Sequence, residues 1–350
     1  MKLAVIFGGK SSEHNVSVVS GTSVISHLDK TKYEIYPIYI SKDGLFYEYT
    51  KNINEIKMLS VDDEVVEIKL IDNIFEYLSK IDVVFPVLHG LNGEDGTIQG
   101  MLSLLGKKYV GCNILASSLC MDKIYAKILF ERAGISTAKG FYLKKSNNKY
   151  KYIDNNFNEE ILNQTELQKL IDNNLKYPIF LKPSRQGSSV GVNKVNSGDE
   201  LIEKLEESFE FDTKVLVEEG INGRELECAI LGNDELIVSP VGEVLSAEDF
   251  YSFNSKYKNS ASVTVIPAEI EDSIMNDIKN LAKKAYVACD CKGLSRVDFF
   301  LENETNKIIL NEINTLPGFT EISMYPKLIQ SLGMSYSELL DRLIELALEQ

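Results

Sequence analysis

The chain has 350 residues, 44% of them hydrophobic and 25% charged, the proportions of an ordinary soluble globular protein with room for two or three domains. A formal net charge of −15 excludes a surface built to hold nucleic-acid phosphates, though not a small anionic ligand bound by a few buried cations. Five scattered cysteines (Cys112, Cys120, Cys228, Cys289 and Cys291) suit reduced thiols in a cytoplasm, and with only three histidines they do not suggest a metal cluster.

Met1-Lys2 runs straight into Leu3-Ala4-Val5-Ile6-Phe7, too short for a signal sequence. No apolar run approaches the ~18 residues of a membrane span, so a cytoplasmic protein without membrane insertion is expected. Residues 3–7 read as a buried strand that Gly8-Gly9 ends in a turn. Helical spacing follows over 16–28, then strands over 33–40 and 81–88, the last ending on His89-Gly90. This alternation predicts an open parallel α/β unit over residues 1–115, with ligands outside the carboxyl ends of the strands, where both glycine turns fall. Helices are predicted at 116–133 and 166–174, and the Lys- and Asn-rich stretch 144–156 between them reads as a surface excursion. A strand at 177–182 leads into a glycine- and serine-rich run at 183–191. Further strands are predicted at 214–218, 225–231, 296–301 and 307–312. Residues 243–261 are polar and aromatic without periodicity and read as a long loop, a class that is usually functional or disordered.

The sharpest constellation is Arg296-Val297-Asp298 followed by Asn311-Glu312-Ile313-Asn314. Period two puts Glu312 and Asn314 on one face of their strand. Antiparallel pairing with the strand of Asp298 then brings three hard oxygen ligands together, as Mg²⁺ beside phosphates requires. A solvated strand face is the alternative, but both strands otherwise read apolar, and charges in them need a partner.

Lys182-Pro183-Ser184-Arg185-Gln186-Gly187-Ser188-Ser189-Val190-Gly191 is basic and rich in hydroxyls. Its backbone N–H groups can close over phosphates while Lys182 supplies a point charge, although an isolated loop of this kind also suits a plain turn. Neither the GxxxxGK(S/T) nor the GxGxxG motif is present. Gly8-Gly9-Lys10-Ser11-Ser12-Glu13 lacks the third glycine of a dinucleotide turn, and Glu13 near a helix start can cap it or bind an ammonium group. The turn from His89 to Gly96 carries one histidine, as often structural as catalytic. In Leu316-Pro317-Gly318-Phe319-Thr320 the Gly318 N–H can face a reacting oxygen or merely make a tight turn.

Taken together, these segments resemble the D-alanine–D-alanine ligase family of the ATP-grasp superfamily. The match runs in order from Phe7-Gly8-Gly9-Lys10-Ser11-Ser12-Glu13-His14 to Ser323-Met324-Tyr325-Pro326-Lys327. Between them lie the His89 turn, Tyr109-Val110-Gly111, Met121-Asp122-Lys123 and the three constellations above. The resemblance implies an N-terminal α/β domain followed by two α+β domains of the ATP-grasp fold, divided at 1–115, 116–213 and 214–350. It also implies ATP, two Mg²⁺ ions for which Mn²⁺ can substitute, and a D-alanyl phosphate intermediate.

Residue by residue, Lys123 and Lys182 match phosphate-contacting lysines, and Ser189 lies in the ATP loop. Glu218 matches the adenine-side acceptor region and Glu225 the ribose carboxylate. Asp298, Glu312 and Asn314 match the metal ligands. Arg296 and the Gly318 N–H match the groups that stabilise the tetrahedral oxyanion. Glu13 matches the carboxylate that holds the first substrate's ammonium, with His89 in the same pocket and Ser188 and Tyr257 as hydrogen-bonded partners. Ser323 matches a residue that binds the second substrate's carboxylate. Closure of the 243–261 loop is expected to keep water from the acyl phosphate. Where the family often has Glu, this chain has Asn15, two residues past Glu13.

Related ligases of glycopeptide resistance use D-lactate or D-serine as second substrate. The Lys256-Tyr257 pair favours an amine nucleophile, and Met324 stands where the lactate and serine branches tend to carry Arg. D-alanine is therefore the expected second substrate, with D-serine kept open by the chain length and by Glu321-Ile322-Ser323. A homodimer is expected from the family. Two other classes are a nucleotide-cofactor dehydrogenase, which leaves the carboxylates unexplained, and an inactive binding protein on this fold, which is expected to have lost a metal ligand or an arginine.

Overall fold

The computed structural model describes residues 1–146, 149–154, 157–245 and 263–350. In the first sheet the strands are β1 (Lys2–Gly8), β2 (Glu34–Ile40), β3 (Phe46–Tyr49), β4 (Ile68–Leu70), β5 (Val83–Val87) and β6 (Lys108–Tyr109), with helices α1 (His14–His27), α2 (Ile74–Ser79) and α3 (Thr97–Leu104). The strand order is β4-β3-β2-β1-β5-β6. β1 is parallel to β2 and β5, and β6 to β5, as expected. The strands β3 and β4, absent from the sequence expectation, add an antiparallel edge to this parallel centre. Only residues 41–45 join β2 to β3, and a parallel crossover needs a dozen or more.

At the carboxyl end of β1 a Cβ on Gly8 would lie 2.3 Å from the Ile40 oxygen, and its φ of +91° also demands glycine. The chain therefore turns sharply into α1. Gly21 then lets that helix lie directly on Phe7.

The helix expected at 116–133 is two helices, α4 (Ile114–Met121) and α5 (Lys123–Arg132). Asp122 interrupts them with ψ 98° and caps α5 by accepting from Ile124 N at 3.2 Å. No proline or glycine marks the break; a side-chain cap makes it.

The second sheet holds β7 (Gly140–Ser146), β8 (Lys149–Ile153), β9 (Glu159–Leu162), β10 (Ile179–Pro183), β11 (Asn193–Val195) and β12 (Lys214–Glu219), flanked by α6 (Gln164–Asn174) and α7 (Gly198–Phe209). Its order is β11-β10-β12-β7-β8-β9. The stretch 144–156 is thus no mere surface excursion: β7 and β8 pair antiparallel, with Tyr142 opposite Ile153. Tyr150 and Ile153 are buried while Lys149 is exposed, so the lysines mask a two-sided strand pattern. β12, which the expected division at 213 gives to the third unit, pairs with β10 and β7 in this sheet.

The third sheet contains β13 (Gly223–Leu231), β14 (Ile237–Leu245), β15 (Val263–Val265), β16 (Leu294–Glu302) and β17 (Ile308–Asn314), in the order β15-β14-β13-β16-β17. Helix α8 (Asp272–Ala288) packs on one face, and α9 (Met324–Gln330) and α10 (Tyr336–Glu349) follow. Leu339, Leu343 and Ile344 of α10 share one core with Val5 and Phe85 of the first sheet. Phe319 stacks edge-on to Phe85, with ring centroids 6.0 Å apart. The segment after β17 is thereby held over the carboxyl ends of β1 and β5.

Glu243, expected in the long loop, lies on β14 opposite Val265, buried and paired to Arg224 through two hydrogen bonds of 2.7 and 2.6 Å. The rest of that loop from 246, including Lys256 and Tyr257, lies outside the described residues.

Candidate active site

A cavity of about 540 Å³ opens between the three sheets, and every sequence-predicted site residue among the described residues lines it.

On one side of the cavity, β10 delivers Lys182 and β12 delivers Glu218. The Lys182 ammonium is paired with the Glu218 carboxylate and donates to Asn311 Oδ1 at 3.2 Å. Lys127, one turn after Lys123 on α5, reaches the same carboxylate at 3.2 Å. Burial alone would push the Glu218 carboxyl up, but the two ammonium groups overcome it and hold the carboxyl at about 2. Glu218 therefore presents a neutralised carboxylate to the cavity.

Lys123 donates to the Gln186 carbonyl at 2.7 Å and faces Glu312 at 3.4 Å. Just beyond Gln186 the loop turns through positive φ at Ser188 (47°), Ser189 (61°) and Gly191 (69°). Such left-handed backbone turns successive N–H groups toward a concavity that suits an anion.

On the acidic side, β16 and β17 pair antiparallel with Asp298 directly opposite Glu312, the arrangement that converging oxygen ligands require. Asn314 Nδ2 donates to Asp298 Oδ2 at 2.9 Å. Arg296 grips Asp298 with two bonds of 2.7 Å and approaches Glu227 at 3.0 Å. Burial disfavours the guanidinium charge, yet Asp298 and Glu227 more than offset it and hold its pKa well above the ordinary arginine value. Two carboxylates and an amide oxygen are hard donors that fit Mg²⁺. A cation that takes both Asp298 oxygens has to share them with the Arg296 fork.

On the third side, Glu13 sits at the N-cap of α1 without making a cap hydrogen bond. Its carboxylate accepts from Ser188 Oγ and so ties the first sheet to the phosphate-type loop. A Cβ at Gly187 or Gly90 would lie 2.7 or 2.6 Å from Glu13 Oε2, so both glycines make room for that carboxylate.

His89 is buried, with Nδ1 3.1 Å from the Leu316 carbonyl and Nε2 2.9 Å from Ser20 Oγ. A carbonyl only accepts, so Nδ1 carries the proton and Nε2 accepts from Ser20. Burial lowers the His89 pKa to about 4, and the ring is a neutral bolt between α1 and the segment after β17. Ser20 Oγ also accepts from Phe319 N at 3.3 Å. Ser323 Oγ accepts from Thr320 N at 3.0 Å beside Gly318, whose Cβ would approach it to 2.8 Å. Met324 is buried, and its sulfur faces Gly242 of β14.

Three polar residues escape the motif reading: Glu227 and Glu94 line the cavity, and Lys127 reaches it only through Glu218. Lys127 is four residues from Lys123, hence on the same helix face. Glu227 is two residues from Glu225 on β13, hence on the same strand face. Glu94 sits in the His89 turn, where burial, then Glu13 and Glu312, push its carboxyl well above the usual range. Its carboxyl comes within 4.0 Å of His89 Nδ1, whose proton goes to the Leu316 carbonyl. Helix and strand periods applied outward from the motifs find the first two.

Residues 2–112 match the family model described as D-ala D-ala ligase N-terminus, and residues 144–345 match D-ala D-ala ligase C-terminus. A D-alanine–D-alanine ligase of Caldicellulosiruptor bescii is 44% identical, covering 100% of this chain and 96% of its own. The solved D-Ala:D-Ser ligase VanG of Enterococcus faecalis superposes with a TM-score of 0.83 at 40% identity, over 99% of each chain. The D-alanine–D-alanine ligase of Bacillus anthracis, solved in complex with ATP, gives 0.75 at 32% identity over 100% of this chain and 98% of that one. With matches over its whole length and this three-sheet fold, the chain belongs to the D-alanine–D-alanine ligase family.

Proposed function

We propose that the protein joins two D-alanine molecules to D-alanyl-D-alanine, with ATP converted to ADP and phosphate, as a step toward peptidoglycan precursors. The observation that carries this reading is one cavity in which a carboxylate for an ammonium (Glu13) adjoins paired phosphate-type lysines and a carboxylate–arginine cluster. Glu13, steadied by Ser188, holds the ammonium of the first D-alanine. Lys123, Lys182 and the loop around Ser189 hold the phosphates, with Glu218 and Glu225 on the adenosine side. The first D-alanine's carboxylate oxygen then takes the γ-phosphoryl group and ADP departs.

Asp298, Glu312 and Asn314 would hold Mg²⁺, two ions or Mn²⁺ in their place, which supply charge neutralisation at the phosphates when bound. Arg296 and the Gly318 N–H face the oxygen that becomes negative when the second amine attacks the acyl carbon. Each well-placed donor there is worth ~3–4 kcal/mol of barrier. Ser323 receives the second substrate's carboxylate. Phosphate leaves as the new C–N bond forms.

The same reading divides the chain into units at 1–115, 116–213 and 214–350, with β12 at the start of the third completing the sheet of the second, in a homodimeric cytoplasmic enzyme. Among the described residues no helix is long and apolar enough to cross a membrane. D-serine as second substrate is favoured by one specific observation, the 40% identity to a D-Ala:D-Ser ligase.

The deciding experiment measures phosphate release from ATP and Mg²⁺ with D-alanine alone, then with D-serine added, and identifies the dipeptide by mass. D-alanyl-D-alanine from D-alanine alone supports the main reading. Release that requires D-serine transfers the chain to the alternative, and no release with either sinks both.

A further inference from the structure

The phosphate-type loop is clamped where it leaves β10, and one of the clamps is a residue with no role in the reaction above. Asp122 is buried at the junction of α4 and α5. Its Oδ1 accepts from Ser184 Oγ at 2.5 Å as well as from the first turn of α5. Its Oδ2 is ion-paired with the Lys214 ammonium from β12. The next residue is Lys123, whose backbone N–H donates to the Ser184 carbonyl at 2.9 Å and whose ammonium holds the Gln186 carbonyl. Ser184 N in turn donates to the Lys214 carbonyl at 3.0 Å. One carboxylate thus joins three elements: the start of the helix that carries Lys123, the first residue of the loop, and the strand beside it.

We propose that Asp122 is a positioning residue for the nucleotide phosphates, setting Lys123 and the 184–191 loop in mutual register. The assignment rests on the reading of the cavity as an ATP site.

A cap alone needs only one accepting oxygen and no charge. A charge-assisted bond to a hydroxyl and an ion pair to a lysine, both in a buried place, fix the carboxylate on three sides and leave the loop little play. The second clamp lies one residue along: Arg185 grips Asp212 with Nε and NH2 at 3.0 and 2.8 Å. That fork ties the loop to Asp212 rather than to the helix of Lys123, so it holds the loop alone. Asp122 bonds both the loop and the helix that carries Lys123, and a displacement well under the length of a hydrogen bond is enough to weaken phosphate contacts.

The test is ATP affinity in the presence of Mg²⁺, by titration calorimetry, alongside KM for ATP and for D-alanine, in the full chain. Asp122→Ala discards the whole clamp, Asp122→Asn keeps an accepting oxygen but discards the charge, and Ser184→Ala removes only the loop's hydroxyl. Each is expected to weaken ATP by about tenfold, the scale of one lost bond to a charged group, with KM for D-alanine within about twofold of wild type. A purely structural role predicts lower melting temperatures with both KM values moving together, and that result overturns the assignment. So does ATP affinity within about twofold of wild type in both Asp122→Asn and Ser184→Ala, which decide the matter if Asp122→Ala fails to fold. A wild-type protein that binds ATP yet releases no phosphate overturns the ligase reading alone, because the variants' ATP affinities still decide this one. A wild type that binds no ATP overturns both.

Discussion

Glu218 and Lys182 form an ion pair in the cavity wall, and Lys127 closes on the other oxygen of the same carboxylate. Removing one partner of a buried pair costs ~3–5 kcal/mol, because the other charge stays buried and uncompensated. Glu218→Gln strands two ammonium groups and is expected to lower the melting temperature at neutral pH. The pH dependence has a definite sign. The folded carboxyl titrates at about 2, below the ordinary 4.5, so its contribution is complete above 4.5 and is lost as pH falls toward 2. Calorimetry from pH 7 to 3 should show a constant gap between wild type and variant down to about pH 4.5, narrowing below it. A gap that ignores pH throughout refutes the ion-pair account.

Gly187 approaches Glu13 so closely that an alanine there must displace the carboxylate. The obstructing atom is the tip of a flexible side chain, so the protein should fold with nearly unchanged stability. The displaced group is the one assigned to the first substrate's ammonium. Gly187→Ala is therefore expected to raise KM for D-alanine by roughly tenfold, the worth of one hydrogen bond to a charge, and to leave ATP affinity alone. Initial rates over a D-alanine series at saturating ATP check this. An unchanged KM removes Glu13 from the ammonium site.

What the sequence discloses and what it hides divide along physical lines. The β16–β17 cluster is legible because strand period and motif agree: Asp298, Glu312 and Asn314 must share a face once the strands pair antiparallel. The parallel centre of the first sheet is legible because β1 and β5 are apolar throughout. The β7–β8 hairpin is hidden because its exposed lysines swamp the composition of the window, although Tyr150 and Ile153 are buried on its two opposite faces. The break at Asp122 is hidden because capping depends on where a side chain folds back, and nothing in a helical stretch without Gly or Pro announces it. The neutrality of His89 comes from burial that only the fold supplies, and its tautomer from Leu316, a partner 227 residues away.

The Arg296 guanidinium fork engages both oxygens of Asp298, so a metal ion bound there is expected to compete with it for that carboxylate. Arg296→Gln releases the carboxylate while removing the proposed oxyanion donor. Without nucleotide, Mn²⁺ is expected to bind this variant more tightly than wild type, as read by electron paramagnetic resonance. Turnover is expected to fall by about 10²–10³, the usual loss for one such donor. Weaker Mn²⁺ binding together with lost turnover would show that the arginine builds the metal site instead of competing for it. Chelation of divalent cations should abolish phosphate release in wild type and variant alike.

Met324 is where an apolar side chain was expected to favour the methyl of D-alanine over the hydroxymethyl of D-serine. Its sulfur packs toward Gly242, and a Cβ at Gly242 would meet Leu328 and Ile266 at 3.0 and 3.2 Å as well. That places most of the side chain in the layer beneath β14, where it acts as core. Met324 thus reaches the cavity with only part of its side chain, while Ile322, two residues earlier and 68% exposed, also lines it. A single apolar contact discriminates by only ~1–3 kcal/mol, and a contact made chiefly with the core discriminates by less. Met324→Leu, nearly equal in volume, is therefore expected to leave the ratio of D-alanyl-D-alanine to D-alanyl-D-serine within about threefold of wild type when both amino acids compete. Product ratios by mass spectrometry at equal concentrations give the answer. A larger change would return Met324 to the wall of the second-substrate site, and would mean that its thioether turns into the cavity once substrates are bound.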